Sequence, residues 1–96
     1  MALFTFVAEY KGGVDITQIQ ALSVGEASHK WAAGLRTHMS EMSEEDHEEI
    51  VDHLEDDSAR EDALTPIKSC KGVWRMYLVD AHDEIIATHV VRTAEL

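Results

Sequence analysis

Between positions 41 and 62 stand twelve acids (Glu41, Glu44, Glu45, Asp46, Glu48, Glu49, Asp52, Glu55, Asp56, Asp57, Glu61 and Asp62) and a single base, Arg60. On one continuous helix, Glu49, His53 and Asp57 follow at i, i+4 and i+8 with Asp46 nearby. Imidazole and carboxylate ligands in such a stripe suit zinc, nickel or manganese. The spacing is nonspecific, because a run this rich in acids generates carboxylate pairs at i+4 by chance. His47-Glu48 is not followed by a second histidine three residues on, so the metalloprotease pattern H-E-x-x-H is absent. The run therefore reads first as a solvated face, and no metal or cofactor is assigned to it.

The same run is a candidate binding surface. A focused negative patch raises association rates toward a basic partner and disfavours nucleic acid. The steering charges would be Glu44, Glu45, Glu48, Glu49, Asp52 and Glu55. The partner expected is a basic protein, including a nucleic-acid-binding protein or toxin whose cationic site is covered, in a regulatory, antitoxin or immunity role. The bland alternative is solubility alone. The charge is concentrated, since the remaining seven acids and seven bases cancel and leave a neutral platform carrying one acidic element.

A third constellation is histidine-based. His38 and His47 each fall on the apolar stripe of a predicted helix, and Trp31 lies about two turns before His38. Antiparallel helices would bring the two rings into a cleft able to bind a small ligand or do acid–base work. Such residues are more often satisfied core or boundary histidines. Cys70, between Ser69 and Lys71, has no positioned base to make it a nucleophile, and no catalytic residue is assigned. Noncovalent binding is therefore favoured over catalysis.

These residues need elements to hold them. Residues 2–10 alternate, with Phe4, Phe6, Ala8 and Tyr10 on one face and Leu3, Thr5, Val7 and Glu9 on the other, as in a strand well inside a sheet. Lys11-Gly12-Gly13 is a hairpin signal. Residues 14–21 form the partner strand, in which Val14 and Ile16 keep one phase and Ile19 and Ala21 the other, a slip that suits a bulge or an edge. Ser23 and Glu26 make a capping box for a helix with Val24, Ala27, Trp31, Gly34, Leu35 and His38 on its apolar side. Ser43 caps a second helix in the same way. Its narrow stripe is Ile50, Val51 and Leu54, shared by His47, and every other direction is acidic. Residues 57–71 are a connection with a short helical turn near 59–64. Residues 73–79 and 84–93 form a closing hairpin. The expected architecture is one α+β domain over 1–96, ordered ββααββ. It has about four antiparallel strands, with the first helix across one face and the acidic helix beside it. A homo-oligomer through the polar second strand, with no chemistry, is a further alternative.

The opening third carries a resemblance. Phe4-x-Phe6, Glu9-Tyr10-Lys11-Gly12-Gly13, Gln18, Ser23-x-x-Glu26-Ala27 and Trp31-Ala32 resemble the start of a set of small bacterial proteins of unassigned function. These motifs are mostly fold signals, and the resemblance implies no activity. The strand-strand-helix opening is also loosely similar to that of HicB-type antitoxins, whose Pro-x-Leu-Pro-Gly-like segment has no counterpart here.

Composition narrows the rest. Ninety-six residues with 45% hydrophobic and 28% charged residues make an ordinary globular core. One cysteine permits no internal disulfide, which favours a reducing compartment. The N-terminal stretch lacks a basic region and no segment approaches the ~18 apolar residues of a membrane span, so a cytoplasmic location is expected. No basic patch with interleaved aromatics predicts direct nucleic-acid contact.

Overall fold

The computed structural model describes residues 1–95. The chain runs β1 (Ala2–Tyr10), β2 (Gly13–Ala21), α1 (Val24–Ala33), α2 (Leu35–His38), α3 (Glu44–Glu55), α4 (Asp57–Ala63), β3 (Thr65–Pro66), β4 (Val73–Val79) and β5 (Ile85–Glu95). Mixed α+β structure is thus present, but the simple ββααββ order and the four-strand count are not. The first expected helix is two, and the short turn expected near 59–64 is a helix of its own, α4. Gly34 caps the C-terminus of α1 and separates it from the single turn of α2. Asp56 leaves helical geometry (ψ 119°) and accepts a hydrogen bond from the Ala59 N–H, ending α3 and capping α4. The fifth strand is the two-residue β3, which pairs with Arg75 and Trp74 of β4. Its shortness and its Pro66 keep that sheet edge from recruiting another strand.

All pairings are antiparallel, in the order β2-β1-β5-β4-β3. The β1–β2 hairpin turns through Lys11 and Gly12, both at positive φ, the geometry of a two-residue turn matched to strand twist. The register of β1 on β2 is unbroken from Ala2↔Ala21 to Tyr10↔Gly13. The phase slip in β2 therefore reflects an edge strand with apolar residues on both faces. Among the described residues, the one register shift lies between Leu3 and Phe4, where β1 meets β5.

One face of the sheet carries the core. Phe4, Phe6, Ala8 and Tyr10 of β1, Met76 and Leu78 of β4, and Ile86, Thr88 and Val90 of β5 are all buried beneath the helices. From above come Ala27, Trp31, Ala32 and Leu35, then Met39 and Met42, then Ile50 and Leu54. Ser23 and Ser43 cap as their sequence contexts predict. Ser23 Oγ accepts the Glu26 N–H at 3.2 Å, and Glu26 reciprocates one residue earlier, at the Leu22 N–H. Ser43 Oγ accepts the Asp46 N–H at 3.1 Å. Such caps stabilise by about 1 kcal/mol each.

Candidate functional site

Because α3 buries only Asp46, Ile50 and Leu54, with His47 and Val51 half-buried beside them, the rest of its surface turns to solvent. Glu44, Glu45, Glu48, Glu49, Asp52 and Glu55 are all exposed. Among the described residues none of the six has an ion-pair partner. The single base of the run is committed internally. Arg60 Nη1 donates to the Leu54 carbonyl at 2.9 Å and Nη2 to Asp57, so it fastens α4 to the end of α3.

Where α4 turns back toward the start of α1, an open cleft of about 830 Å³ lies between them. Ser23, Val24, Gly25, Glu26 and His29 form one wall, and Glu55, Asp57, Arg60 and Glu61 the other. Leu64 and Trp74 also line it. Trp74 is half-buried and its ring is tilted against Phe4, with centroids 6.2 Å apart, so its position is fixed by the core. Two of the four carboxylates are engaged, Glu26 with Lys30 and Asp57 with Arg60. Glu55 and Glu61 are not, and they leave the cleft with unmatched negative charge beside an indole. Only Glu55 was among the steering residues expected from sequence. Asp57, Glu61, Glu26 and Trp74 join it through the α3–α4 break and the approach of β4, neither of which leaves a periodic signal.

The histidine cleft does not assemble as expected. Trp31 is 1% exposed and stacked on Phe6, with centroids 5.1 Å apart and planes 9° from parallel. His47 is half-buried, and its Nε2 lies 2.8 Å from the Ala32 carbonyl, where it donates a hydrogen bond that ties α3 to α1. His38 is exposed and lines a shallow depression with Tyr10, Asp15 and Glu41, which neither Trp31 nor His47 lines. Glu49, His53 and Asp57 do not share a helix, because α3 ends before Asp57. Glu49 and His53 instead border a small cavity of about 240 Å³ against β4.

A buried polar cluster was not anticipated. Asp46, expected on the solvated face, is 2% exposed. Its Oδ1 accepts from the Ala81 N–H at 3.0 Å and from His82 Nδ1 at 2.8 Å, and its Oδ2 accepts from Ser43 Oγ at 2.9 Å. Asp80 Oδ1 accepts the N–H groups of His82 and Glu84, and its Oδ2 accepts the Tyr10 hydroxyl. The first turn of α3 is thereby clasped to the β4–β5 turn, which is held in turn to the end of β1. Asp46, Asp80 and His82 offer ligand atoms within 4.8 Å of one another, yet every carboxylate oxygen already serves a protein donor. The arrangement works as a structural clasp.

Its electrostatics are mutually supportive. Burial pushes the Asp46 carboxyl up, but the hydrogen bonds from His82 and Ser43 outweigh it and hold it below the ordinary value. Burial likewise opposes ionisation of Asp80, and the bonds from Tyr10, Glu84 and His82 win. The hydrogen bond to Asp46 and its charge raise His82. Burial, then the bond to Asp80, raises Tyr10 well above the ordinary tyrosine range. The aspartate contributions are present above the unfolded aspartate value of about 3.9 and are lost as pH falls through the lowered folded values. The histidine contribution is present below about 6.5 and is lost as pH rises through its raised folded value. The clasp is complete between about pH 4 and pH 6.5. Urea midpoints for the wild type and His82→Gln should therefore differ most in that window and converge at alkaline pH. A difference that persists undiminished there would refute an ionic clasp.

Fold and site together define an α+β domain that presents an acidic helical layer with an indole-bearing groove. Comparison with family models, curated proteins and solved structures returns no match for this chain. No helix among the described residues is long and apolar enough to cross a membrane.

Proposed function

We propose that the chain is a noncovalent binding module whose acidic helices take a cationic segment of another protein, with the groove beside Trp74 as the anchoring site. The observation that carries this reading is the placement of the open cleft of about 830 Å³. It opens between acidic α4 and the start of α1, has unmatched carboxylates at Glu55 and Glu61, and includes a half-buried indole. A lysine or arginine side chain entering it meets complementary charge at Glu55 and Glu61 and the indole of Trp74. Such a cation–π contact contributes about 0.5–2 kcal/mol, more as it is desolvated. The outer carboxylates, Glu44, Glu45, Glu48, Glu49 and Asp52, act at longer range by steering the partner in. Coverage of a cationic site on a partner, as an antitoxin or immunity protein does, falls within this reading.

The two sets of residues separate kinetically. An arginine-rich peptide should bind with an affinity that falls as salt rises. The Glu55→Gln/Glu61→Gln and Trp74→Ala variants should each weaken it by roughly tenfold, mainly through faster dissociation. Neutralising Glu44, Glu45 and Glu48 should mainly slow association. Surface plasmon resonance at several ionic strengths reads both rates. Salt-independent affinity, or equal losses from the groove and outer-face variants, would sink the assignment of the groove as the anchor.

A further inference from the structure

The face of the sheet opposite the helices is uncovered, and its rows follow from the strand register. Gln18, Thr5, Val91 and Val73 form one row, and Ile16, Val7, His89 and Arg75 the next. Val14, Glu9, Ala87 and Tyr77 follow, and Ile85 and Val79 close the face. Among the described residues, five of the seven large exposed hydrophobics lie here: Val14, Ile16, Tyr77, Val79 and Ile85, each at least half exposed. Val14 and Ile16 adjoin on β2, and Tyr77, Val79 and Ile85 adjoin across β4 and β5, a clustering that marks an interaction site rather than ordinary surface. The edge strand β2 contributes Val14 and Ile16, so the apolar area runs across four strands.

We infer that this face is covered by a second copy of the same chain, packed sheet to sheet about a twofold axis. The distribution of charge favours a copy of itself. Apart from His89 and the Tyr77 phenol, the ionisable groups in these rows are Glu9 and Arg75, of opposite sign, whereas the acidic run rides on helices across the sheet. Two copies joined through this face hold their acidic layers at opposite ends of the assembly, where mutual repulsion is least. Self-complementarity is required of any twofold interface, and the rows supply it. An axis along the strands between β1 and β5 sets β1 over β5 and β2 over β4 of the second copy. Glu9 and Arg75 fall on opposite sides of that axis, so each Glu9 meets the half of the other sheet that carries Arg75. Four strands at about 4.8 Å spacing and eight residues at about 3.3 Å give a face of roughly 20 by 25 Å. Burying it on both copies removes on the order of 1,000 Å², the size at which specific interfaces begin. The paired sheets form a β-sandwich with both acidic grooves facing outward.

Sedimentation equilibrium of the intact chain over a range of concentrations tests this. The expected mass rises to twice 10.8 kDa. Ile85→Lys and Val14→Lys, at solvent-facing positions, should each return a folded monomer with an unchanged circular dichroism spectrum. Glu9→Arg should weaken the dimer at least tenfold, and the Glu9→Arg/Arg75→Glu double variant should restore it. A monomer at every concentration overturns the inference. So does a dimer indifferent to Ile85→Lys, on the central strand β5, which would point to β2 edge pairing instead. Dimerisation through this face and peptide binding at the groove can fail independently, because no residue is shared between them.

Discussion

Trp31→Ala is expected to destabilise the domain by about 3–5 kcal/mol, the cost of emptying a large buried aromatic site. The indole lies between α1 and the sheet in parallel contact with Phe6, and Ala27, Leu35 and Ala8 are buried in the same core. Helix α1 cannot sink to fill the void while its cap at Ser23 and the His47 bond to Ala32 hold it in place. In a domain of this size each kcal/mol moves the thermal midpoint by about 4–8 °C. Total stability is only about 5–15 kcal/mol, so the loss is a large share of it. Trp31→Phe should cost well under half as much. It keeps a ring against Phe6 and removes the indole Nε1–H, which is buried without a hydrogen-bond partner, so no bond is forfeited. Urea unfolding of the two variants decides the matter. If phenylalanine proves as costly as alanine, the ring stack is not what Trp31 contributes.

Leu54→Ala should cost about 2–5 kcal/mol, and the loss should be felt locally before it is felt globally. Only Ile50 and Leu54 fully bury apolar side chains from α3, while Asp46 enters through the clasp. The helix otherwise carries like charges at i, i+4 spacings that repel one another. Its attachment is therefore a thin seam, the kind of element that opens sub-globally. Hydrogen exchange should show α3 and α4 amides losing protection well before those of β1 and β5. The groove should fail with them, because Glu55, Asp57, Arg60 and Glu61 hold their places only while α3 is docked. Added salt screens the self-repulsion and should restore part of the protection. Uniform loss across sheet and helices would show instead that α3 is integral to the global unfolding unit.

How much of this was legible in the residues varies with the range of the interaction. The faces of β1, the turn at Lys11-Gly12, the caps at Ser23 and Ser43, and the apolar stripes through Trp31 and Leu54 all follow from spacing. In each case the physics is local: alternation in a strand, 3.6-residue periodicity in a helix, a side-chain oxygen reaching an N–H three residues on. The helix breaks at Gly34 and Asp56 were less visible. Asp56 resembles its acidic neighbours, and only its role as cap for α4 sets it apart.

Carboxylate chemistry shows the limit most clearly. By composition Asp46 is one of twelve equivalent acids, yet it alone of the twelve is buried, because Ala81 and His82 reach it from a turn some 35 positions away. Nothing in the spacing of the acidic run distinguishes it. The expected meeting of Trp31, His38 and His47 failed for a related reason. Helical periodicity assigns a residue to a stripe but does not say whether that stripe meets a ring, a carbonyl or solvent at that point.

Thus the sequence by itself determined the four long strands, the starts of α1 and α3, most of their buried faces and the segregation of charge, because these are written in residue type and near-neighbour spacing. Tertiary structure decided that β5 lies beside β1, that the indole of Trp74 joins the acidic groove, and that a sheet face bearing Ile16, Tyr77 and Ile85 is left uncovered. Those outcomes depend on which distant surfaces come together. A hydrophobic pattern records that a face prefers burial, but only the folded arrangement reveals whether anything in the same chain covers it.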